Sequence, residues 1–102
     1  MNWQQQAVRF AQKHQLQHTA FVHALDLMSE MGEVTKELLK ATAYGEKPAQ
    51  FRPEISEEMG DLLYSLCLLA GSVGVDLEAA LQQTLDKYEQ RWQAKGHIGS
   101  QS

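Results

Sequence analysis

Phe21 to Lys40 reads FVHALDLMSEMGEVTKELLK, and the spacing within it decides the fold. Phe21, Leu25, Met28, Gly32, Thr35 and Leu39 step by three and four, while Leu27, Met31, Val34 and Leu38 widen the stripe on one side. That is the period of an α-helix with one face turned inward. At 100° per residue and with Glu30 at zero, His23 falls at about 20°, Glu37 at about 340°, Asp26 at about 320° and Glu33 at about 300°. The apolar residues occupy roughly 40° to 220°. The carboxylates Asp26, Glu30, Glu33 and Glu37 and the His23 imidazole therefore share one narrow arc that holds no lysine.

Working outward, Thr19 or His18 stands where an N-cap belongs, and the helix is expected to run to about Ala43, with Gly45 as its stop. Before it, Asn2 caps a short helix ending near Lys13. After it, Tyr44 to Arg52 carries Gly45, Pro48 and Phe51 and reads as a loop. Pro53 suits the first turn of a third helix, where its missing N–H costs nothing, and Glu54, Glu57 and Glu58 suit the positive end of that helix. This helix should end near Gly71 or Gly74. From Leu62 to Ala70 it is apolar on almost every side, which implies burial against several neighbours, some of them from another subunit. Asp76 caps a fourth helix with a stripe of Leu77, Leu81, Leu85, Tyr88 and Trp92, terminated at Gly96. The sequence shows no strand-like alternation and no internal repeat. It predicts one all-α domain over residues 1–102, with residues 97–102 as a flexible tail.

The third helix repeats the acidic pattern of the second. Glu30 with Glu33, and Glu58 with Asp61, are i, i+3 pairs and so neighbours on a helix face. If the two faces pack together, four negative charges meet, and such a group cannot be buried without a counter-charge. A hard divalent cation supplies it, and magnesium takes oxygen ligands while keeping positions open for a substrate phosphate. The plain competitor is a solvated acidic face. Gly32 and Gly60 stand beside the pairs in helix interiors, where each costs about 1 kcal/mol against Ala, and close helix approach is one reason to tolerate them.

Composition narrows the alternatives. A net charge of -4 leaves no basic field for a nucleic-acid backbone. A single cysteine, Cys67, excludes an intramolecular disulfide framework or a cysteine zinc cluster, and its apolar neighbours predict a buried thiol. The opening residues lack the basic and apolar regions of a signal peptide, and no apolar run approaches the roughly 20 residues needed to cross a bilayer. The chain reads as soluble and cytoplasmic, with no membrane partner.

Glu30-Met31-Gly32-Glu33, followed 24 residues later by Glu57-Glu58-Met59-Gly60-Asp61, resembles the E-x-x-E … E-x-x-D signature of the all-α nucleoside triphosphate pyrophosphohydrolases. Leu62-Leu63-Tyr64, the string Val75 to Leu81 and the ending Lys87 to Trp92 resemble the MazG-like branch, so the likeness spans roughly residues 18 to 100. It implies a four-helix MazG-like bundle completed by oligomerisation, as a homodimer or homotetramer. It also implies magnesium-dependent cleavage of a (deoxy)nucleoside triphosphate to monophosphate and pyrophosphate, as in nucleotide-pool house-cleaning. Manganese is a possible substitute for magnesium.

Carried over by position, Glu30, Glu33, Glu58 and Asp61 are the catalytic metal ligands. Lys87 and Arg91, at i and i+4, are candidates to hold phosphate oxygens, against an ordinary surface role. His23, Tyr44 and Phe51 are candidates to contact the substrate. The competing functions are a non-enzymatic helical oligomerisation or adaptor module and a phosphoribosyl-ATP pyrophosphohydrolase-like enzyme. A di-iron carboxylate bundle would need Glu-x-x-His pairs, and here Glu33 and Asp61 stand in those places.

Overall fold

The computed structural model describes residues 2–100, so Met1, Gln101 and Ser102, the last two belonging to the expected flexible tail, lie outside it. The described residues form four helices and no strand: α1 (Trp3–Lys13), α2 (Ala20–Ala41), α3 (Glu54–Ser72) and α4 (Leu77–Lys95). No single helix among them is long and apolar enough to cross a membrane.

The expected caps are present, with adjustments. Asn2 forms a full capping box, its side chain accepting from the Gln5 N–H while Gln5 returns the bond to the Asn2 N–H. Asp76 accepts from the N–H groups of Glu78 and Ala79, and Gly96 ends α4 in the left-handed conformation at φ 74°. Thr19 holds the α2 cap position without a side-chain bond, and Pro53 holds that of α3. α2 stops at Ala41, two residues before the expected end. Ala43 and Tyr44 both turn to positive φ, 49° and 59°, and the loop folds back on the helix. N–H groups of Tyr44, Ala43, Gln50 and Lys47 then fill the carbonyls of Leu39, Lys40, Ala41 and Thr42, the acceptors a helix end otherwise leaves open.

α2 and α3 pack along their length, and α1 lies across α3. Ala11, Val34, Ala41, Cys67, Leu68 and Ala70 form the buried core, and Cys67 is the largest side chain fully enclosed. Burial pushes its thiol pKa up, as befits an unreactive cysteine. Close helix approach occurs at Gly71, where an added Cβ would stand 3.1 Å from Val8 Cγ2. Gly32 and Gly60 do not serve that purpose within the chain, since nothing lies within 4 Å of a Cβ built on either.

α4 departs from the rest, bent 95° from α3, and none of its residues is buried. Its first turn is held by α1. The Gln4 amide donates to the Val75 carbonyl at 2.8 Å and accepts from the Leu77 N–H at 2.7 Å, and Asn2 reaches Glu78 at 3.4 Å. One chain therefore makes a three-helix unit with a projecting fourth helix. The apolar surface left bare lies chiefly on α2 and α4 rather than on α3. Phe21, Leu25 and Met28 are 82%, 72% and 73% exposed, and Leu81, Leu85 and Trp92 are open as well, whereas Ser65, Cys67, Leu68 and Ala70 of α3 are covered.

Candidate metal centre

The facing acidic stripes of α2 and α3 meet. Glu30, Glu58 and Asp61 each offer a carboxylate oxygen, and the three oxygens lie within 4.8 Å of one another. Glu30 comes from the middle of α2, and Glu58 and Asp61 come from the first half of α3 at i, i+3, so helix geometry points both at one spot. Glu33 is exposed and outside this close set, although its charge acts on both Glu30 and Glu58.

The charges are not compensated locally. Arg52 pairs with Glu37 and Glu54, and no cation lies within 4.0 Å of Glu30, Glu58 or Asp61 among the described residues. Burial raises the pKa of Glu30, and the charges of Asp61, Glu33 and Asp26 raise it further. Burial likewise raises Glu58, followed by Glu33, Asp61, Glu30 and Glu37. Hard oxygen donors from two rigid helices, those of Glu30 and Glu58 with pKa values raised by burial and by neighbouring acids, fit a divalent cation of the magnesium or manganese kind.

A pH dependence follows. Glu30 and Glu58 bind protons more readily folded than unfolded, so the stability they contribute is fully present below the ordinary value of 4.5 and is lost as pH rises through the raised values. In EDTA the melting temperature is expected to fall as pH is raised from about that ordinary value toward neutrality. A divalent metal reverses the trend, because only deprotonated carboxylates ligate it. Melting curves across this range with EDTA and with magnesium test both signs.

The other candidate residues lie elsewhere. His23 is turned inward, 3% exposed, and its Nε2 accepts from the His18 N–H at 3.1 Å, so its expected place on the acidic face gives way to a structural one. Glu37 keeps that face by angle but is drawn out of the cluster. It is 6% exposed and takes a forked bond from Arg52, Nε to Oε1 at 2.8 Å and Nη2 to Oε2 at 3.2 Å. Arg52 was not legible as a site residue, since no local rule links positions 15 apart across a loop. Truncating Arg52 to Ala strands a buried carboxylate and is expected to cost about 2 kcal/mol, discounted because the arginine is half exposed. Urea denaturation measures it.

Tyr44 and Phe51 are exposed on the α2–α3 loop, Phe51 on the wall of a groove beside Arg52. Lys87 and Arg91 do not reach the acids within a chain. About 11 residues back along α3 and ten out along α4, at 1.5 Å each and nearly at right angles, separate Asp61 from Lys87 by roughly 20 Å. Arg91 donates to the Ile98 carbonyl at 3.0 Å, and Lys87 lies over the Tyr88 ring.

The sequence profile of the MazG nucleotide pyrophosphohydrolase domain matches residues 18–94, which contain the acidic cluster. The chain is similar to the uncharacterized protein YpjD of Bacillus subtilis (strain 168), with 35% identity over 68 residues. That stretch is 64% of this chain, and the chain spans 60% of the length of that relative. No solved structure matches.

Proposed function

The chain belongs to the MazG nucleotide pyrophosphohydrolase family, and on that premise we propose that it hydrolyses (deoxy)nucleoside triphosphates to monophosphate and pyrophosphate with magnesium, as a house-cleaning enzyme. The observation that carries this reading is the convergence of Glu30, Glu58 and Asp61 within 4.8 Å. Glu33 completes the ligand set by a side-chain rotation of the kind an exposed glutamate makes freely. Bound there, the metal would polarise phosphoryl oxygens and lower the pKa of a coordinated water.

The chain's own residues do the rest. The carboxylates would hold the ion and so orient the reacting phosphate, and water adds to the α-phosphorus while the bond to the β-phosphate oxygen breaks. The proton of that water passes to one of the four carboxylates and then to solvent. Such a transfer needs positioning and charge neutralisation more than covalent participation, which suits an acidic centre on two packed helices.

Pyrophosphate release measured across a nucleotide panel, with phosphoribosyl-ATP included, tests the reaction and its substrate class. An adaptor module would gain no thermal stability from millimolar magnesium, whereas the proposed centre should gain several degrees, since a ligand bound only by the folded state stabilises it by mass action.

A further inference from the structure

The end of α2 and the loop after it enclose a groove of about 400 Å³. Lys40 of the last helical turn, Lys47 and Gln50 of the loop, and Phe51, Arg52 and Pro53 at the entry to α3 form its working walls. Three of its nine lining residues are cations and none is acidic, in a chain whose net charge is -4. Arg52 is held by the buried Glu37, with Glu54 at 3.4 Å. Lys40 and Lys47 have no carboxylate within 4.0 Å among the described residues.

A cation in the last turn of a helix is ordinary, because the dipole favours it. That accounts for Lys40 and leaves Lys47 unexplained. The α2 carbonyls of Leu39, Lys40, Ala41 and Thr42 are already filled by loop N–H groups and leave neither lysine a partner there. Two uncompensated ammonium groups facing one groove, with an arginine locked beside them, make a receptor for an anion with several oxygens. α3 starts at the same place, at Pro53, with Glu54 and Glu57 in its first turn. The groove sits at the same α2–α3 face as the acidic centre: Arg52 on its wall grips Glu37, two turns along α2 from Glu30.

We propose that this groove is the subsite for the pyrophosphate end of the nucleotide, with Lys40 and Lys47 binding the β- and γ-phosphate oxygens. The assignment rests on the hydrolase reading above. Negative charge grows on the departing pyrophosphate as the bond to the α-phosphate breaks, and preorganised cations there stabilise that charge in the transition state. A base, being neutral, has no need of two free lysines. Phe51, 67% exposed on the same wall, borders the groove.

The test separates the groove from the chemistry. Inorganic pyrophosphate is titrated in EDTA into the full chain, its Lys40→Ala/Lys47→Ala double variant and a Lys13→Ala control, followed by backbone amide NMR. Shifts should centre on residues 40–52, and the double variant should bind at least about tenfold more weakly, the loss expected for one charge-assisted contact. Lys13→Ala should match the parent. With magnesium and a triphosphate substrate, the double variant should raise KM by a similar factor. Equal pyrophosphate binding by parent and double variant, or none by the parent at millimolar concentration, overturns the assignment even if hydrolysis is robust. Lysine-dependent binding in a chain that hydrolyses no nucleotide upholds the groove as a pyrophosphate site and sinks the hydrolase reading instead.

Discussion

Changing Glu30 to Gln, or Asp61 to Asn, is expected to lower pyrophosphate release in magnesium by about a hundredfold or more, the size typical of losing one preorganised electrostatic contact. The same variants in EDTA should melt at the parental temperature or above it. Both expectations come from one geometry: three carboxylates crowd within 4.8 Å without a cation among them. Removing one charge relieves repulsion in the metal-free protein and deletes a ligand in the metal-bound one. Glu58→Gln and Glu33→Gln belong to the same series, because their charges act on the same cluster. A structural ion pair behaves in the opposite way, as the Arg52–Glu37 fork should, where losing one partner destabilises the fold. Variants that melt well below the parent in EDTA, yet turn over at its rate in magnesium, would refute the metal-centre reading.

A Leu25→Glu or Leu81→Glu change is expected to split the particle and abolish turnover together. We propose that the parent is a homodimer or homotetramer, joined through the bare stripes of α2 and α4. Leu25 and Leu81 are 72% and 56% exposed in the single chain, so a charge at either leaves the fold of one chain intact. A contiguous apolar stripe of this size on a small domain is the mark of a contact surface. Activity should follow assembly, because Lys87 and Arg91 stand roughly 20 and 27 Å from the acids of their own chain and could serve an acidic centre only from another copy. Light scattering at micromolar concentration should give at least twice 11.5 kDa, or 23 kDa, for the parent and 11.5 kDa for the variants. A parent particle of 11.5 kDa would remove the proposal.

Much of this was legible in the sequence because it is local. Helix periods, the Asn2 and Asp76 caps and the Gly96 stop depend on residues a few positions apart. The acidic pairs were legible for the same reason, since an i, i+3 spacing fixes a shared face wherever the helix lies. What escaped depends on contacts between distant residues. The wheel put Glu37 on the acidic face correctly by angle, but an arginine 15 residues away captures it. It put His23 there as well, and the backbone of His18 claims its ring. The early end of α2 escaped because Ala43 and Tyr44 carry no signal for the left-handed turn they adopt. The departure of α4 escaped because an apolar stripe announces that a helix will be covered without saying by which copy.

That departure has a mechanical side. The elbow between α3 and α4 is gripped at both Val75 and Leu77 by the two ends of one amide, that of Gln4, and α1 lies outside the stretch matched by the family profile. α1 thus works as a set square for the lever that follows the elbow. Over the roughly 28 Å of a 19-residue helix, a tilt of ten degrees at the pivot moves the far end by about 5 Å. Gln4→Ala should accordingly blur where Trp92 and Arg91 point while leaving the acidic cluster unmoved, and a spin-label distance from α2 to the end of α4 would broaden rather than shift.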